Sequence, residues 1–275
     1  MLFQEINLHQ IYNFICNKTT NFKVFSNKNN ILTFNELSTV CITSFVFFNG
    51  NYTKCLSYMI DYNLIPSISL SAFSKARTRD FAKIEDILAI TLAHFSSTNI
   101  AEFFMIDSFP VEACSASRNS SLFSEKSYTG FCAAKNLYYK GLKVMLITNN
   151  QGHIVQFEIT HANEHDTYIA KHMDFSDLYP QNSVLYADKG FSSKDLEAKL
   201  LNDNIQLLAC KKVNAKDYDK KTQREIINKR KKIETFINSL LHFSGRNMFK
   251  FNTIKGLIHK LKLMILSYNV VRIIA

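Results

Sequence analysis

Phe103–Val111 reads FFMIDSFPV, an apolar run with one charged residue, Asp107, near its centre. Apolar runs of this length, rich in aromatic and branched residues, are typical of a strand inside a sheet. A carboxylate buried in such a strand costs on the order of several kcal/mol unless it is paired or binds a metal ion. The stretch therefore predicts a buried strand that carries a functional aspartate.

The chain on either side of this strand separates into two regions. Up to about residue 95 the apolar residues recur at helical spacing, and one short predicted helix, Ala72–Phe81, is basic. After Ser96–Asn99, short runs of strand type alternate with helices, and long helices are predicted at Arg224–Leu241 and Asn252–Ile274. This order predicts a mixed α/β domain preceded by a small all-helical region.

Two further carboxylates complete a candidate metal site. Asp188 ends a second apolar run, VLYA. Helical periodicity from residue 226 to 241 places Glu234 in the apolar arc, with Arg230 on the same side, so a salt bridge to Arg230 is the alternative explanation. Carboxylate oxygens suit Mg²⁺ or Mn²⁺ better than Zn²⁺, and such a triad can hold two ions for phosphoryl transfer. Asp107, Asp188 and Glu234 are therefore the predicted catalytic and metal-binding residues.

The charge of the chain is uneven. The net charge is +10, and the last 65 residues hold 16 Lys and Arg against 4 Asp and Glu, whereas residues 101–210 hold 9 against 13. A positive surface beside a group of carboxylates suits an enzyme that acts on phosphodiesters. A solvated, lysine-rich helix explains the same charge equally well.

Several other functions lack their motifs. The sequence contains no GxGxxG, GxxxxGK[ST] or GxSxG, which excludes the usual nucleotide-binding loops and the hydrolase nucleophile elbow. Six cysteines are scattered without a CxxC pair, as is typical of reduced thiols. The longest apolar stretch, Val40–Phe48, is too short for a membrane span, and the first ten residues do not resemble a signal peptide. We expect a cytoplasmic protein with no membrane partner.

The sequence resembles the DDE transposases of bacterial insertion sequences, most closely the insertion-sequence family numbered 982. The acidic positions follow one another at intervals of 81 and 46 residues. The N-terminal helical stretches also match, so the resemblance covers nearly the whole chain. The matching stretches are Ile106–Val111 (IDSFPV) with Cys114 and Arg118 after it, Lys135–Gly152 (KNLYYKGLKVMLITNNQG), His161–Asp166 (HANEHD), Ala187–Phe191 (ADKGF), Lys229–Leu240 (KRKKIETFINSL) and Lys260–Val270 (KLKLMILSYNV).

The resemblance implies an RNase H-like catalytic domain over residues 99–275 and a helical DNA-binding region over residues 1–98. It implies a transposase that binds terminal inverted repeats, cleaves phosphodiester bonds with two divalent metal ions and transfers the 3′-OH ends into target DNA. Double-stranded DNA is then the partner, and we expect a homodimer or higher oligomer on it, associated with the bacterial nucleoid. Related groups carry Tyr, Arg and Lys around the Glu; here only Arg230 matches, since Ile227 and Leu241 occupy the other two positions.

Basic residues supply the candidate DNA contacts. The short basic helix is the best candidate for reading DNA sequence, and Lys189 is placed to contact phosphate beside Asp188, although a turn lysine that simply faces water is an equally good explanation. The predicted DNA-binding residues are Lys75, Arg77, Arg79, Arg118, Lys189, Arg230, Lys231 and Lys232.

Two alternatives to an active transposase remain. The first is a catalytically inactive, DNA-binding remnant of a transposon. The second is a zinc peptidase, because His161–His165 spells the HxxEH motif. That motif needs a helix to bring both histidines to one face, whereas this stretch begins where a strand is predicted to end.

Overall fold

The computed structural model describes residues 6–20, 30–97, 101–115, 121–132, 136–175, 182–211, 218–243 and 251–275. Three short 3₁₀ helices lie at Ser121–Phe123, Lys126–Tyr128 and Lys189–Phe191. In the described ranges, no helix has the length and hydropathy of a membrane span. The other elements are α1 (Leu8–Thr19), α2 (Phe34–Phe48), α3 (Tyr52–Asp61), α4 (Leu70–Arg79), α5 (Phe81–Ser97), β1 (Phe104–Ser115), β2 (Thr129–Cys132), β3 (Leu137–Asn149), β4 (Ile154–His161), α6 (Asp166–His172), β5 (Ser183–Ala187), α7 (Lys194–Asn202), β6 (Ile205–Ala209), α8 (Lys220–His242) and α9 (Ile254–Ile274).

The chain divides into two compact units, one formed by residues 1–92 with 239–275 and the other by residues 93–238. The first unit is helical, and α2 packs against α1, α3 and α9. Every residue of α2 from Leu37 to Phe45 is buried, because the helix is apolar or small on all sides and has neighbours on several faces.

This division differs from the predicted boundaries chiefly in the place of residues 239–275. The prediction placed residues 239–275 in the α/β domain, whereas α9 belongs to the helical unit. The physical reason is the composition of α9, which is buried at every position from Leu263 to Val271 and packs on α1 and α2. A helix that is apolar all round needs neighbours on most of its faces, and the helical unit supplies them.

The second unit contains a mixed sheet, of six strands in the described residues. β3 pairs antiparallel with β1 on one edge, and with β2 and β4 in succession on the other. β5 pairs parallel with β1, and β6 pairs parallel with β5. With α6, α7 and most of α8 in the same unit, the predicted RNase H-like α/β fold, a mixed sheet flanked by helices, is confirmed.

The long pairing of β1 and β3 depends on a glycine. The register of the two strands shifts between Glu112 and Cys114, opposite Gly141. A Cβ atom on Gly141 would lie 2.0 Å from the carbonyl oxygen of Val111. This oxygen belongs to the backbone of a paired strand, so it cannot move away as a flexible side chain can. Only glycine allows the two backbones to approach this closely.

We expect Gly141→Ala to destabilise the protein by roughly 1–3 kcal/mol, because one of two paired backbones must move. Gly190→Ala is the matched control, since its Cβ would meet its nearest neighbouring atom only at 3.9 Å. Urea denaturation of both variants and the wild type measures the difference. Equal midpoints for the two variants would show that the strands can separate at Gly141 without cost.

Candidate active site

Two aspartates lie side by side on adjacent parallel strands. Ile106 of β1 pairs with Ala187 of β5, so Asp107 and Asp188 are the next residues of two strands in register. Because equivalent residues of parallel strands point to the same face of a sheet, both carboxylates lie on one side. Asp188 directly precedes the 3₁₀ helix Lys189–Phe191, and its side chain makes no capping hydrogen bond there.

Asp107 is mostly buried, with 20% of its side chain exposed. Burial raises its pKa from 3.8 to about 6; a hydrogen bond from the Ser108 backbone N–H and the charge of Arg230 lower it, and the charges of Asp188 and Asp166 raise it. The net shift is upward because the effect of burial exceeds the lowering by the Ser108 hydrogen bond and by Arg230.

Arg230 connects Asp107 to Glu234. Its Nη1 donates to Oδ2 of Asp107 at 3.1 Å, and its Nη2 donates to Oε1 of Glu234 at 2.9 Å. Only 16% of the Arg230 side chain is exposed. It lies on the inward-facing stripe of α8 at spacings of three and four residues, together with Gln223, Ile226, Ile233, Ile237 and Leu240.

The prediction that Glu234 faces the core is wrong. Its side chain is 54% exposed, and Ile227, which falls in the same predicted arc, is also exposed. The arc drawn from all apolar residues of the helix is wider than the stripe that packs. Arg230 occupies that stripe because its long side chain can start from a buried backbone and end at a carboxylate.

Asp166, the first residue of α6, adds a fourth carboxylate that was not predicted as a site residue. Its Oδ1 accepts a hydrogen bond from the Ser108 hydroxyl at 2.9 Å and lies 3.1 Å from Nζ of Lys143. Its charge contributes to the raised pKa of Asp107. The available signal was its place at the end of the matching stretch HANEHD.

The predicted DNA contacts near these carboxylates lie on two elements. Lys189 is exposed in the 3₁₀ helix after Asp188, and Lys231 and Lys232 are exposed on α8 directly after Arg230. All three lysines are thus close in sequence to residues of the candidate site and exposed to solvent. Arg118 lies outside the described residues.

The three basic residues predicted on α4 do not share a surface. At about 100° per residue, Lys75 and Arg79 lie about 40° apart around the helix, and Arg77 lies about 160° from each. Lys75 and Arg79 are exposed, and Arg79 binds Asp80 at 2.6 Å. Arg77 is partly buried, with its guanidinium carbon 4.6 Å from the centre of the Tyr52 ring.

The residues of the two predicted metal sites, the HxxEH stretch and the three carboxylates, are not grouped around a common point in the described part of the chain. His161 ends β4 and His165 precedes α6, so the HxxEH stretch does not present both histidines on one helical face. Among the residues that the structure describes, no three Asp, Glu, His or Cys side chains are placed to hold a metal ion together. Asp107 and Glu234 are instead connected through Arg230.

One comparison with known proteins identifies a family. A family model described as a transposase DDE domain matches residues 97–247, more than half of the chain. A cryo-EM structure of the piggyBac transposase synaptic complex with hairpin DNA is similar at 12% identity and a TM-score of 0.44, over 100% of this chain and 68% of that one. No curated protein matches. The range of the family model contains Asp107, Asp188 and Glu234.

The raised pKa of Asp107 predicts how stability varies with pH. Between about pH 4 and pH 6 the native state keeps a proton that the unfolded chain has lost, so this group's contribution to stability falls as pH rises. Asp107→Asn cannot ionise, so from pH 5 to pH 7.5 the variant should gain about 1–2 kcal/mol relative to the wild type. Urea denaturation with chelator at both pH values measures the gain. A difference that does not change with pH would contradict the raised pKa.

Proposed function

The chain belongs to the transposase DDE domain family, and from this premise we propose that it binds the terminal inverted repeats of an insertion sequence, cleaves phosphodiester bonds with two divalent metal ions and transfers the 3′-OH ends into target DNA. The observation that carries the proposal is the register of β1 and β5, which places Asp107 beside Asp188. A homodimer or higher oligomer is proposed to do this on DNA in the bacterial cytoplasm.

The carboxylates suit Mg²⁺ or Mn²⁺ in chemistry and in charge. Asp107 and Asp188 would hold the ions, and their oxygens are the donors that these cations prefer. The pKa of Asp107 is raised mainly by burial and, to a smaller extent, by the charges of Asp188 and Asp166, and a bound divalent cation would favour the ionised carboxylate. Glu234 would join them, since its side chain is 54% exposed and Arg230 would keep its ion pair with Asp107 when Glu234 turns to a metal ion. When bound, the ions supply activation of the attacking oxygen and stabilisation of the charge on the phosphoryl group.

The basic residues around the carboxylates are proposed to position the DNA. Arg230 has the planar fork that binds two phosphate oxygens at once, and it would be available when Glu234 and Asp107 bind metal. Lys189, Lys231 and Lys232 are exposed and would contact further phosphates. Such contacts fix the register of the DNA without reading its sequence. Recognition of the terminal repeats is proposed for the helical region 1–98, with Lys75 and Arg79 on the surface that approaches DNA.

Asp188→Asn tests the metal site without relying on activity alone. In chelator the variant should be as stable as the wild type or more stable, because one of several neighbouring negative charges is removed and no capping bond is lost. Mg²⁺ or Mn²⁺ should raise the melting temperature of the wild type and raise that of the variant much less. Asp195→Asn is the control, since that side chain is 82% exposed. A variant that melts far below the wild type in chelator would identify Asp188 as a structural residue.

A nicking assay tests the reaction itself. The probe is a linear duplex that contains the DNA flanking the gene on both sides, because the ends of an insertion sequence lie beside its transposase gene. The wild type and Asp195→Asn should cut one strand near each end when metal is present, and Asp188→Asn should bind the duplex without cutting it. Cutting by Asp188→Asn would remove this residue from the active site. Binding without cutting by every protein, the wild type included, would instead support the inactive remnant.

A further inference from the structure

A cavity of about 440 Å³ lies within the helical unit, between α4 and the beginning of α9. Its lining includes Arg77 from α4 and Lys255, His259 and Lys260 from α9. None of the lining residues that the structure describes is acidic. The cavity is therefore a basic site that is separate from the carboxylates of the α/β unit.

Arg77 presents a buried donor to this cavity. Its Nε is buried and has no hydrogen-bond acceptor in the described part of the chain. The hydroxyl of Tyr52, which also lines the cavity, is buried beside the guanidinium, and its interaction with Arg77 lowers a pKa that burial raises. Buried polar atoms are nearly always satisfied by protein, water or ligand, so this wall has unused hydrogen-bonding capacity.

The positive charge of the cavity comes from Arg77, Lys255 and Lys260. His259 adds little, because its pKa is lowered to about 4, first by burial and then by the charges of Lys255 and Arg77, against an opposite effect of Glu85. Its ring instead stacks on Phe81, with ring centres 3.5 Å apart. Glu85 itself is bound to Lys262 at 2.5 Å.

The beginning of α9 adds to the positive potential. Thr253 caps the helix by accepting a hydrogen bond from the Gly256 N–H at 3.0 Å, and the first turn contains no acidic residue. Both residues line the cavity. The partial positive charge of the helix N-terminus therefore faces the same space as the guanidinium of Arg77.

We propose that this cavity binds a phosphate group. A guanidinium fork, an ammonium group and a helix N-terminus are donors that bind phosphate in proteins, and the volume admits a phosphate with an attached sugar. The phosphate has two possible sources: the backbone of bound DNA, which rests on the proposed function, or free orthophosphate or a nucleotide. Arg77 does not share a surface with Lys75 and Arg79, and the proposal gives it a separate role in binding phosphate.

Three variants of the full chain separate a site effect from a charge effect. Thr78→Glu places a carboxylate at the exposed rim of the cavity, and Lys255→Gln removes one ammonium group. Ser57→Glu makes the same change in charge at an exposed position of α3 that does not line the cavity. The probes are orthophosphate against chloride at constant ionic strength, measured by thermal unfolding, and a random-sequence duplex, measured by fluorescence anisotropy over a range of salt concentrations.

The wild type and Ser57→Glu should melt at a higher temperature in phosphate than in chloride, and the two cavity variants should lose most of this increase. If DNA is the source, the cavity variants should also reduce the slope of log affinity against log salt by about 1, whereas Ser57→Glu keeps it. Loss of the phosphate effect with an unchanged slope supports a free phosphate ligand and overturns the DNA source.

An equal phosphate effect in all four proteins would overturn the proposal. That result is distinct from a failure of the proposed function, which would appear as absence of metal-dependent cutting by the wild type. The orthophosphate measurement needs neither DNA nor metal, so it tests the cavity independently.

Discussion

The parallel pairing of β1 with β5 is the constraint on which the candidate active site depends. The two strands are separated by more than sixty residues of chain, and their register places Asp107 and Asp188 at the same level of the sheet. A slip of one residue would turn the side chains of one strand to the opposite face. The apolar residues before each aspartate oppose such a slip, because Ile106 and Ala187 are fully buried.

Arg230 supplies the positive charge that lies beside these aspartates. Two aspartates side by side in a partly buried site repel each other, and a third carboxylate, Asp166, adds to the repulsion. The guanidinium relieves part of this by binding Asp107, and it is held in place by burial on α8 between Ile226 and Ile233. In the proposed reaction, the same group that stabilises the metal-free protein would bind a phosphate when the carboxylates bind cations. Folding and the proposed reaction thus use one side chain in two ways.

Much of this could be predicted from local pattern, and the rest depends on contacts that local pattern does not encode. A charge within an apolar run, or directly after one, predicted Asp107 and Asp188 as site residues, since burial and chemistry are visible within a few residues. The exposure of Glu234 was mispredicted because helical periodicity gives an arc, not the part of that arc that packs. Asp166 was missed because its bond to Ser108 joins residues far apart in sequence. The position of α9 depends on its contacts with α1 and α2, and the sequence of an evenly apolar helix does not show which neighbours it will pack against.

The membership of α9 in the helical unit has a consequence for how the protein is made. A ribosome releases α1 to α5 first, whereas the helix that covers α2 follows α5 by more than 150 residues of chain. Residues 93–238 are contiguous and can fold as soon as they emerge, whereas the earlier helices must wait with the apolar surface of α2 incompletely covered. The second unit is therefore complete before the first. During that interval the nascent chain exposes apolar surface of the kind that makes folding intermediates prone to aggregation, and the helical unit is complete only when α9 packs on α1 and α2.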